Sequence, residues 1–261
     1  MDGLVSFVNK TPTTLPYLNL PEKFMKTLVI IKTGSTFPVL REQFGDFEDW
    51  IARECSDGLV IKTVNAEAGE ALPDLGGVSG IAVTGSPAMV TDKTQWMQTL
   101  STWLVQAVQA SVPVLGICFG HQLLAQALGG RVDYHPQGRE IGTVTVNLTD
   151  AGQQDPLLGT LPAVFSTHVT HAQSVIRLPD EAIHLAGNGF EPHHAFRVGA
   201  CAWGVQFHPE FSAAIMRGYI TVQADALQTA GRDLAALQAS VTDSAANGLL
   251  NKFSKIVQHY R

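Results

Sequence analysis

The sequence predicts an α/β protein with a doubly wound, mostly parallel sheet, helices on both faces and a small antiparallel excursion. Continuous apolar runs of strand length recur in the first half of the chain, at 27–31, 59–64, 80–83 and 114–117. Such runs are typical of parallel strands covered on both faces. Amphipathic helical patterns separate most of these runs, and shorter alternating segments follow residue 130. Alternation of strands and helices favours a doubly wound sheet.

Composition indicates a well-packed globular protein. The chain has 261 residues, of which 45% are hydrophobic and 15% charged, and its net charge is −6. This charge gives no reason to expect nucleic acid or an anionic membrane as a partner. We expect an N-terminal arm at 1–25, one α/β domain at 26–218 and a C-terminal helical extension at 219–261.

The cysteines and the N-terminus indicate the compartment. Three cysteines without Cys-x-x-Cys spacing predict neither a disulfide framework nor a zinc site. The N-terminus has an early acidic residue and lacks the cationic and long apolar segments of a secretory signal. No apolar stretch approaches the roughly 20 residues that cross a bilayer. We therefore expect a soluble, cytoplasmic protein.

The first elements follow from local patterns. After the strand at 27–31, Asp46 is a plausible N-cap for a helix that ends near Asp57 and Gly58. The apolar face of this helix would contain Phe47, Trp50, Ile51 and Cys55. The strand at 80–83 runs into a Thr84-Gly85-Ser86-Pro87 turn, and helical spacing at 97–108 predicts the crossover helix to the next strand.

A sharp turn follows the strand at 114–117. Gly116 and Gly120 stand two residues before and after Cys118, and a helical pattern starts directly afterwards. Glycines at these positions are what a strand-to-helix elbow needs, because its backbone crowds its neighbours. The turn would expose the sulfur to the free N–H groups at the helix start, which favour a thiolate. The alternative is that Cys118 is a buried small apolar residue.

The sequence pattern differs in the second half of the chain. Alternating segments at 142–147 and 163–167 predict the antiparallel excursion, and an apolar run at 200–207 predicts a buried strand that delivers His208-Pro209-Glu210. Helical patterns complete the chain. Because ligands bind beyond the carboxyl ends of strands in open α/β sheets, we expect Cys118 and His208 at one edge.

A cysteine nucleophile needs a base, and the base needs an orienting acceptor. His208 can take the proton of Cys118, and Glu210, two residues on, can hold the imidazole. The alternative for His208 is a hydrogen-bonded core histidine. Three further histidines, His184, His193 and His194, lack the ligand spacing of a metal site, and we predict an exposed loop there and no metal.

Two motifs together resemble a known family. Gly116-Ile117-Cys118-Phe119-Gly120-His121-Gln122 and Gly204-Val205-Gln206-Phe207-His208-Pro209-Glu210 resemble the paired motifs of class I glutamine amidotransferases. The similarity is greatest to the glutaminase domain of GMP synthase and its free-standing relatives, and it extends over 27–216. Arg139-Glu140-Ile141-Gly142 and Thr170-His171-Ala172-Gln173-Ser174-Val175 match further positions of that family. The resemblance implies a flavodoxin-like fold and no cofactor.

The resemblance also implies roles for individual residues. Cys118 would attack the side-chain amide of glutamine and form a thioester, with His208 and Glu210 as its partners. Backbone N–H groups of Gly85 and Phe119 would meet the oxyanion. Substrate contacts would come from Ser86, Gln122, Thr170, His171 and Gln173. The family usually has Asp where Gln173 stands, and a neutral amide binds an α-ammonium group less strongly.

Several functions fit these motifs. The expected activity is hydrolysis of glutamine or another γ-glutamyl compound to glutamate and ammonia or amine. Alternatives are a γ-glutamyl peptidase acting on glutathione-like substrates and a glutaminase subunit that passes ammonia to a separate synthase. The alternative that is not an enzyme is a regulatory module that has kept the fold without catalysis. The oligomeric state is not predicted.

Overall fold

The computed structural model describes residues 26–260, and the arm predicted at 1–25 lies outside them. The strands are β1 (Lys26–Lys32), β2 (Leu59–Asn65), β3 (Gly80–Val83), β4 (Val114–Ile117), β5 (Arg131–Tyr134), β6 (Glu140–Leu148), β7 (Val164–His171), β8 (Gln173–Arg177), β9 (Ala182–Gly187), β10 (Ala195–Val198) and β11 (Ala202–Val205). The helices are α1 (Pro38–Phe44), α2 (Phe47–Glu54), α3 (Gln95–Gln109), α4 (Phe119–Ala127), α5 (Asp150–Gln153), α6 (Ala213–Val222), α7 (Ala224–Thr229), α8 (Leu234–Ser240) and α9 (Leu249–His259).

A nine-stranded sheet in the order β2-β1-β3-β4-β11-β10-β9-β6-β7 organises this part of the chain. Its first five strands run parallel. The other four continue the sheet with antiparallel pairs. The predicted α/β class with a mostly parallel core is confirmed.

The antiparallel excursion joins the main sheet. Strands β6 and β7 pair along their whole length, and β9 and β10 connect them to β11. A separate two-stranded antiparallel sheet forms from β5 and β8. It brings β8, which starts at Gln173, close to α4, which starts directly after Cys118.

Helix α2 illustrates how local signals define an element near the site. The side chain of the predicted N-cap, Asp46, accepts a hydrogen bond from the Phe47 N–H. In turn, the Asp46 N–H donates a hydrogen bond to the Asp49 carboxylate. Phe47, Trp50 and Ile51 are buried as expected, whereas Cys55 is half-buried at the helix end. The Asp46 carboxylate also accepts from the Thr36 N–H and from Lys32, and so ties the loop after β1 to α2.

The core lies on both faces of the sheet. One apolar cluster contains α9, and Phe253 of that helix packs edge-on against Trp203 of β11 at 6.3 Å. The opposite cluster contains α3 and α4. A third cluster joins α1, α2 and α6, where the Leu40 side chain fits over Gly218. Burial on both faces explains the continuous apolar runs of β1, β3 and β4.

Candidate active site

Neighbouring parallel strands place the two predicted reactive groups at one sheet edge. In the β4–β11 pair, Ile117 lies opposite Val205, and the Cys118 N–H continues the ladder by donating to the Val205 carbonyl at 2.8 Å. His208 follows β11 by three residues, and its N–H donates to the His168 carbonyl of β7. Both side chains therefore leave the carboxyl ends of adjacent strands, where open α/β sheets bind ligands.

Cys118 sits on a strained turn between β4 and α4. Its φ of 51° and ψ of −99° fall in a region that non-glycine residues rarely occupy. A Cβ at Gly116 would come within 2.4 Å of the Gly120 carbonyl oxygen, and one at Gly120 within 2.6 Å of the Val83 carbonyl oxygen. The two glycines are thus required by close backbone contacts on both sides of the cysteine.

His208 and Glu210 form a buried pair. Nδ1 of His208 donates to Glu210 Oε1 at 2.7 Å, and both side chains are almost completely buried. The other ring nitrogen has no hydrogen-bond partner among residues 26–260. Burial alone would lower the pKa of His208, but the charge of Glu210, the Cys118 side chain and the hydrogen bond that Glu210 accepts raise it to about 10. The carboxylate of Glu210 therefore favours the protonated imidazole.

Two backbone N–H groups follow the carboxyl ends of the neighbouring strands β3 and β4. Phe119 is the first residue of α4, and Gly85 lies in the loop after β3. Neither N–H donates a hydrogen bond to another residue in the described part of the chain. The Gly85 carbonyl is held by the hydroxyls of Thr33 and Thr84 at 3.1 and 2.9 Å. Free, fixed N–H donors beside a nucleophile can stabilise a developing oxyanion.

Gly85 also permits the approach of the histidine. A Cβ on Gly85 would lie 3.0 Å from His208 Cε1 and 3.3 Å from a ring carbon of Phe47. A larger residue at this position would push the imidazole or the Phe47 ring from its place.

Cys118 opens into a pocket of about 350 Å³. Among its lining residues are all the predicted substrate contacts, namely Ser86, Gln122, Thr170, His171 and Gln173. The size lies within the range of pockets that enclose small organic ligands. Of the predicted oxyanion residues, Phe119 lines the pocket as well.

The amide of Gln122 is held in one orientation. Its Nε2 donates to the Gln173 carbonyl at 2.7 Å and to Gln206 Oε1 at 2.9 Å, so both amide hydrogens are used and the oxygen remains for a ligand. The Gln173 side chain donates to Thr91 Oγ1 at 2.6 Å, while its buried Oε1 has no partner in the described chain. The Gln122 oxygen is therefore a fixed hydrogen-bond acceptor at this end of the pocket, whereas the Gln173 oxygen is enclosed by protein.

The remaining predicted contacts differ in what they offer. The Ser86 hydroxyl donates a hydrogen bond to the Thr33 carbonyl at 2.6 Å, so its proton is already used within the protein. The Thr170 carbonyl lies 3.9 Å from Cys118 Sγ. Both ring nitrogens of His171 lie within hydrogen-bond distance of protein oxygens, at the Gln173 carbonyl and at Glu140 Oε2.

Glu140 is the centre of a buried polar cluster behind the pocket. Its Oε2 lies 2.9 Å from His171 Nε2 and 3.4 Å from His194 Nε2, and its Oε1 accepts from Asn188. Burial acts to raise the pKa of Glu140, but the hydrogen bonds from His171 and Asn188 and the charges of both histidines lower it below its ordinary value. The prediction of an exposed loop is wrong: His194 is fully buried, His184 lies in β9, and His193 is half-buried with Nδ1 2.6 Å from the Val175 carbonyl oxygen.

Aromatic side chains form the wall of the pocket beside His208. The Phe47 ring lies parallel to the imidazole, with ring centroids 6.3 Å apart. The Tyr219 hydroxyl forms a hydrogen bond of 2.6 Å with the Thr36 hydroxyl. No sequence pattern indicates that Phe47 and Tyr219 line the pocket. The N-cap at Asp46 located the helix that contains Phe47, but its pattern indicates only burial.

Two general features of the described residues concern metals and membranes. No group of three or more His, Cys, Asp or Glu side chains between residues 26 and 260 is arranged to hold a metal ion. Within the same residues, every helix is too short or too polar to cross a bilayer.

Known proteins with similar sequences include GMP synthases. The GMP synthase [glutamine-hydrolyzing] of Aeropyrum pernix is 36% identical over 171 residues, which cover 64% of this chain and 31% of that protein. The chain thus matches about a third of the length of this relative, and the corresponding enzyme of Porphyromonas gingivalis is matched over 26% of its length.

Solved structures share the fold. A glutamine amidotransferase from Thermotoga maritima superposes with a TM-score of 0.71 at 21% identity, over 90% of this chain and 99% of that one. A glutamine amido transferase from Methylobacillus flagellatus has a TM-score of 0.67 at 28% identity, over 90% of each chain. The family model for glutamine amidotransferase class-I matches residues 48–221. The chain therefore belongs to the class I glutamine amidotransferase family.

Proposed function

We propose that this protein hydrolyses the side-chain amide of glutamine to glutamate and ammonia, with Cys118 as nucleophile, His208 as acid and base, and Glu210 as its orienting partner. The observation that supports this most is the strained Cys118 turn beside a buried His208–Glu210 pair, both at the carboxyl edge of β4 and β11. A nucleophile, a base and an orienter in this order form a catalytic triad.

The proposed reaction has two steps. The Cys118 thiolate attacks the γ-carbonyl carbon, the carbon–nitrogen bond breaks, and His208 gives its proton to the departing nitrogen. A γ-glutamyl thioester and ammonia result. Water then attacks the thioester while His208 takes one of its protons, the carbon–sulfur bond breaks, and glutamate leaves with the thiolate restored.

The N–H groups of Phe119 and Gly85 would stabilise the oxyanion in both steps. At the other end of the substrate, the oxygen of Gln122 would accept a hydrogen bond from its amino group, and the backbone of 170–173 would complete the site. This oxygen is neutral, so it would hold an α-ammonium group less strongly than a carboxylate would.

The assay is glutamate release from glutamine by the wild type, Cys118→Ser and Cys201→Ser. Cys201 is an equally buried cysteine whose sulfur donates to the Ser111 carbonyl, away from the pocket, and it serves as the matched control. We expect Cys118→Ser to lose at least about 10³-fold in kcat, because a serine hydroxyl is a far weaker nucleophile here. Equal rates for the wild type and Cys118→Ser would refute the proposal.

The proposal is confined to hydrolysis, because the GMP synthases are matched over about a third of their length or less. A separate synthase that receives the ammonia is the partner to look for. Purification of the tagged chain from its own cells, followed by the same assay, tests this: an interacting synthase should raise the glutaminase rate.

A further inference from the structure

Apolar side chains line the pocket on the side of His208. In the proposed reaction His208 protonates the departing nitrogen, so any substituent on that nitrogen points toward the groups around His208. Phe47 and Tyr219 line the pocket there, together with Phe37 and Pro38 at the start of α1. We refer to Phe37, Pro38 and Tyr219 as the apolar shelf.

Aromatic ring contacts support the shelf from His208 outward. The imidazole stacks on Phe211 with centroids 4.0 Å apart, Phe211 lies 4.9 Å from Tyr219, and Tyr219 meets Phe37 edge-on at 5.5 Å. This aromatic series passes behind the pocket wall through the buried Phe211 and ends at the protein surface, where Phe37 is 36% exposed. Exposed aromatic surface that continues a ligand pocket is typical of a binding subsite.

A cation lies at the rim of the same pocket. Arg139 lines it and donates to Gln223, the residue that follows α6. Arg139 forms no ion pair with another residue of the described chain, so its charge has only this neutral partner. A guanidinium in this state is suited to a carboxylate.

We propose that the preferred substrates are γ-glutamyl dipeptides with an apolar second residue, whose side chain lies on the apolar shelf and whose terminal carboxylate pairs with Arg139. This inference rests on the proposed thiol mechanism. The chemistry is unchanged except that an amino acid, rather than ammonia, leaves with the proton from His208 as the carbon–nitrogen bond breaks.

The test compares four substrates: glutamine, γ-glutamylglycine, γ-glutamyl-leucine and γ-glutamyl-isoamylamide, which keeps the leucine alkyl group but lacks its carboxylate. We expect kcat/KM for γ-glutamyl-leucine to exceed that for γ-glutamylglycine about tenfold, since the shelf removes the alkyl group from water. The kcat/KM for the isoamylamide should be about two- to fivefold below that for γ-glutamyl-leucine. The difference is small because the ion pair between Arg139 and the substrate carboxylate would be exposed to solvent.

Variants assign these preferences to residues. Phe37→Ala should reduce the leucine-to-glycine ratio several-fold, while Ile183→Ala, which removes an apolar side chain of similar exposure (39%) on β9, should leave the ratio as in the wild type. Arg139→Gln should bring γ-glutamyl-leucine and its isoamylamide analogue to similar kcat/KM values. Circular dichroism and melting curves verify that each variant is folded.

The outcomes separate this inference from the proposed function. If glutamate release depends on Cys118 but γ-glutamyl-leucine is no better than γ-glutamylglycine, or Phe37→Ala leaves the ratio as it was, the substrate assignment is overturned and the thiol mechanism stands. If no substrate yields glutamate and a diazoketone analogue of glutamine leaves Cys118 unmodified, the proposed function itself fails.

Discussion

Glu210→Gln should change how the stability of this protein depends on pH. The folded-state pKa of His208 is raised to about 10, against an ordinary value of 6.5. Between these values the native state holds a proton that the unfolded state has lost, so stability falls as the pH rises. The stabilisation is complete below about pH 6.5 and is lost as the pH rises toward 10.

The size of this loss in unfolding free energy follows from the one proton on His208. Each pH unit corresponds to about 1.4 kcal/mol per proton, so the pair contributes a loss of roughly 2 to 3 kcal/mol between pH 7 and pH 9. In Glu210→Gln, burial is no longer opposed by the carboxylate, so the pKa of His208 falls and this loss of free energy becomes smaller.

Urea denaturation at pH 7 and pH 9 measures both free energies of unfolding. The buried thiols of Cys55 and Cys201, whose pKa values are also raised, contribute equally to both proteins and cancel in the comparison. Glu181→Gln, at an exposed carboxylate on the loop before β9, is the matched control and should behave as the wild type does. If Glu210→Gln and the wild type lose the same free energy, His208 is not held protonated by Glu210.

Three further substitutions test the surrounding structure. Gly116→Ala places a Cβ 2.4 Å from a backbone oxygen, so it should cost about 1–3 kcal/mol in unfolding free energy and abolish glutaminase activity, while Gly77→Ala, in open space, should do neither. Asp46→Ala removes the N-cap of α2 and should cost about 1–2 kcal/mol by thermal denaturation, with Asp46→Asn losing less. The lowered pKa of Glu140 means that its stabilisation is present above about pH 4.5 and is lost on acidification; urea titrations at pH 6 and pH 3.5 should show a smaller acid-induced loss in Glu140→Gln.

Local patterns predicted the parallel half of the fold because each strand there is buried on both faces. Local patterns do not indicate helix α1. Pro38 and Gly45 mark its ends, but Leu40 is its only buried residue, so its sequence has no apolar periodicity. Local patterns also do not indicate strands β5 and β8 to β10. They are four to six residues long, and β5 and β8 pair with each other although β6 and β7 lie between them in the sequence.

For the site, sequence motifs named the residues that the structure brings together, because Cys118 and His208 each follow a strand and those strands are neighbours. The aromatic wall could not be predicted in this way. Phe37 directly precedes α1, Phe47 belongs to α2 and Tyr219 belongs to α6. The sequence around each of them predicts only that these helices pack against the rest of the protein. Their meeting point depends on tertiary contacts such as Leu40 against Gly218.

The central claim is that Cys118 is the nucleophile toward a γ-glutamyl group. Treatment with a diazoketone analogue of glutamine, followed by peptide mass spectrometry, tests it most directly. We predict one equivalent of adduct on the peptide that contains Cys118, none on Cys55 or Cys201, and protection by excess glutamine. An unmodified Cys118, or modification spread equally over the three cysteines, would contradict the account.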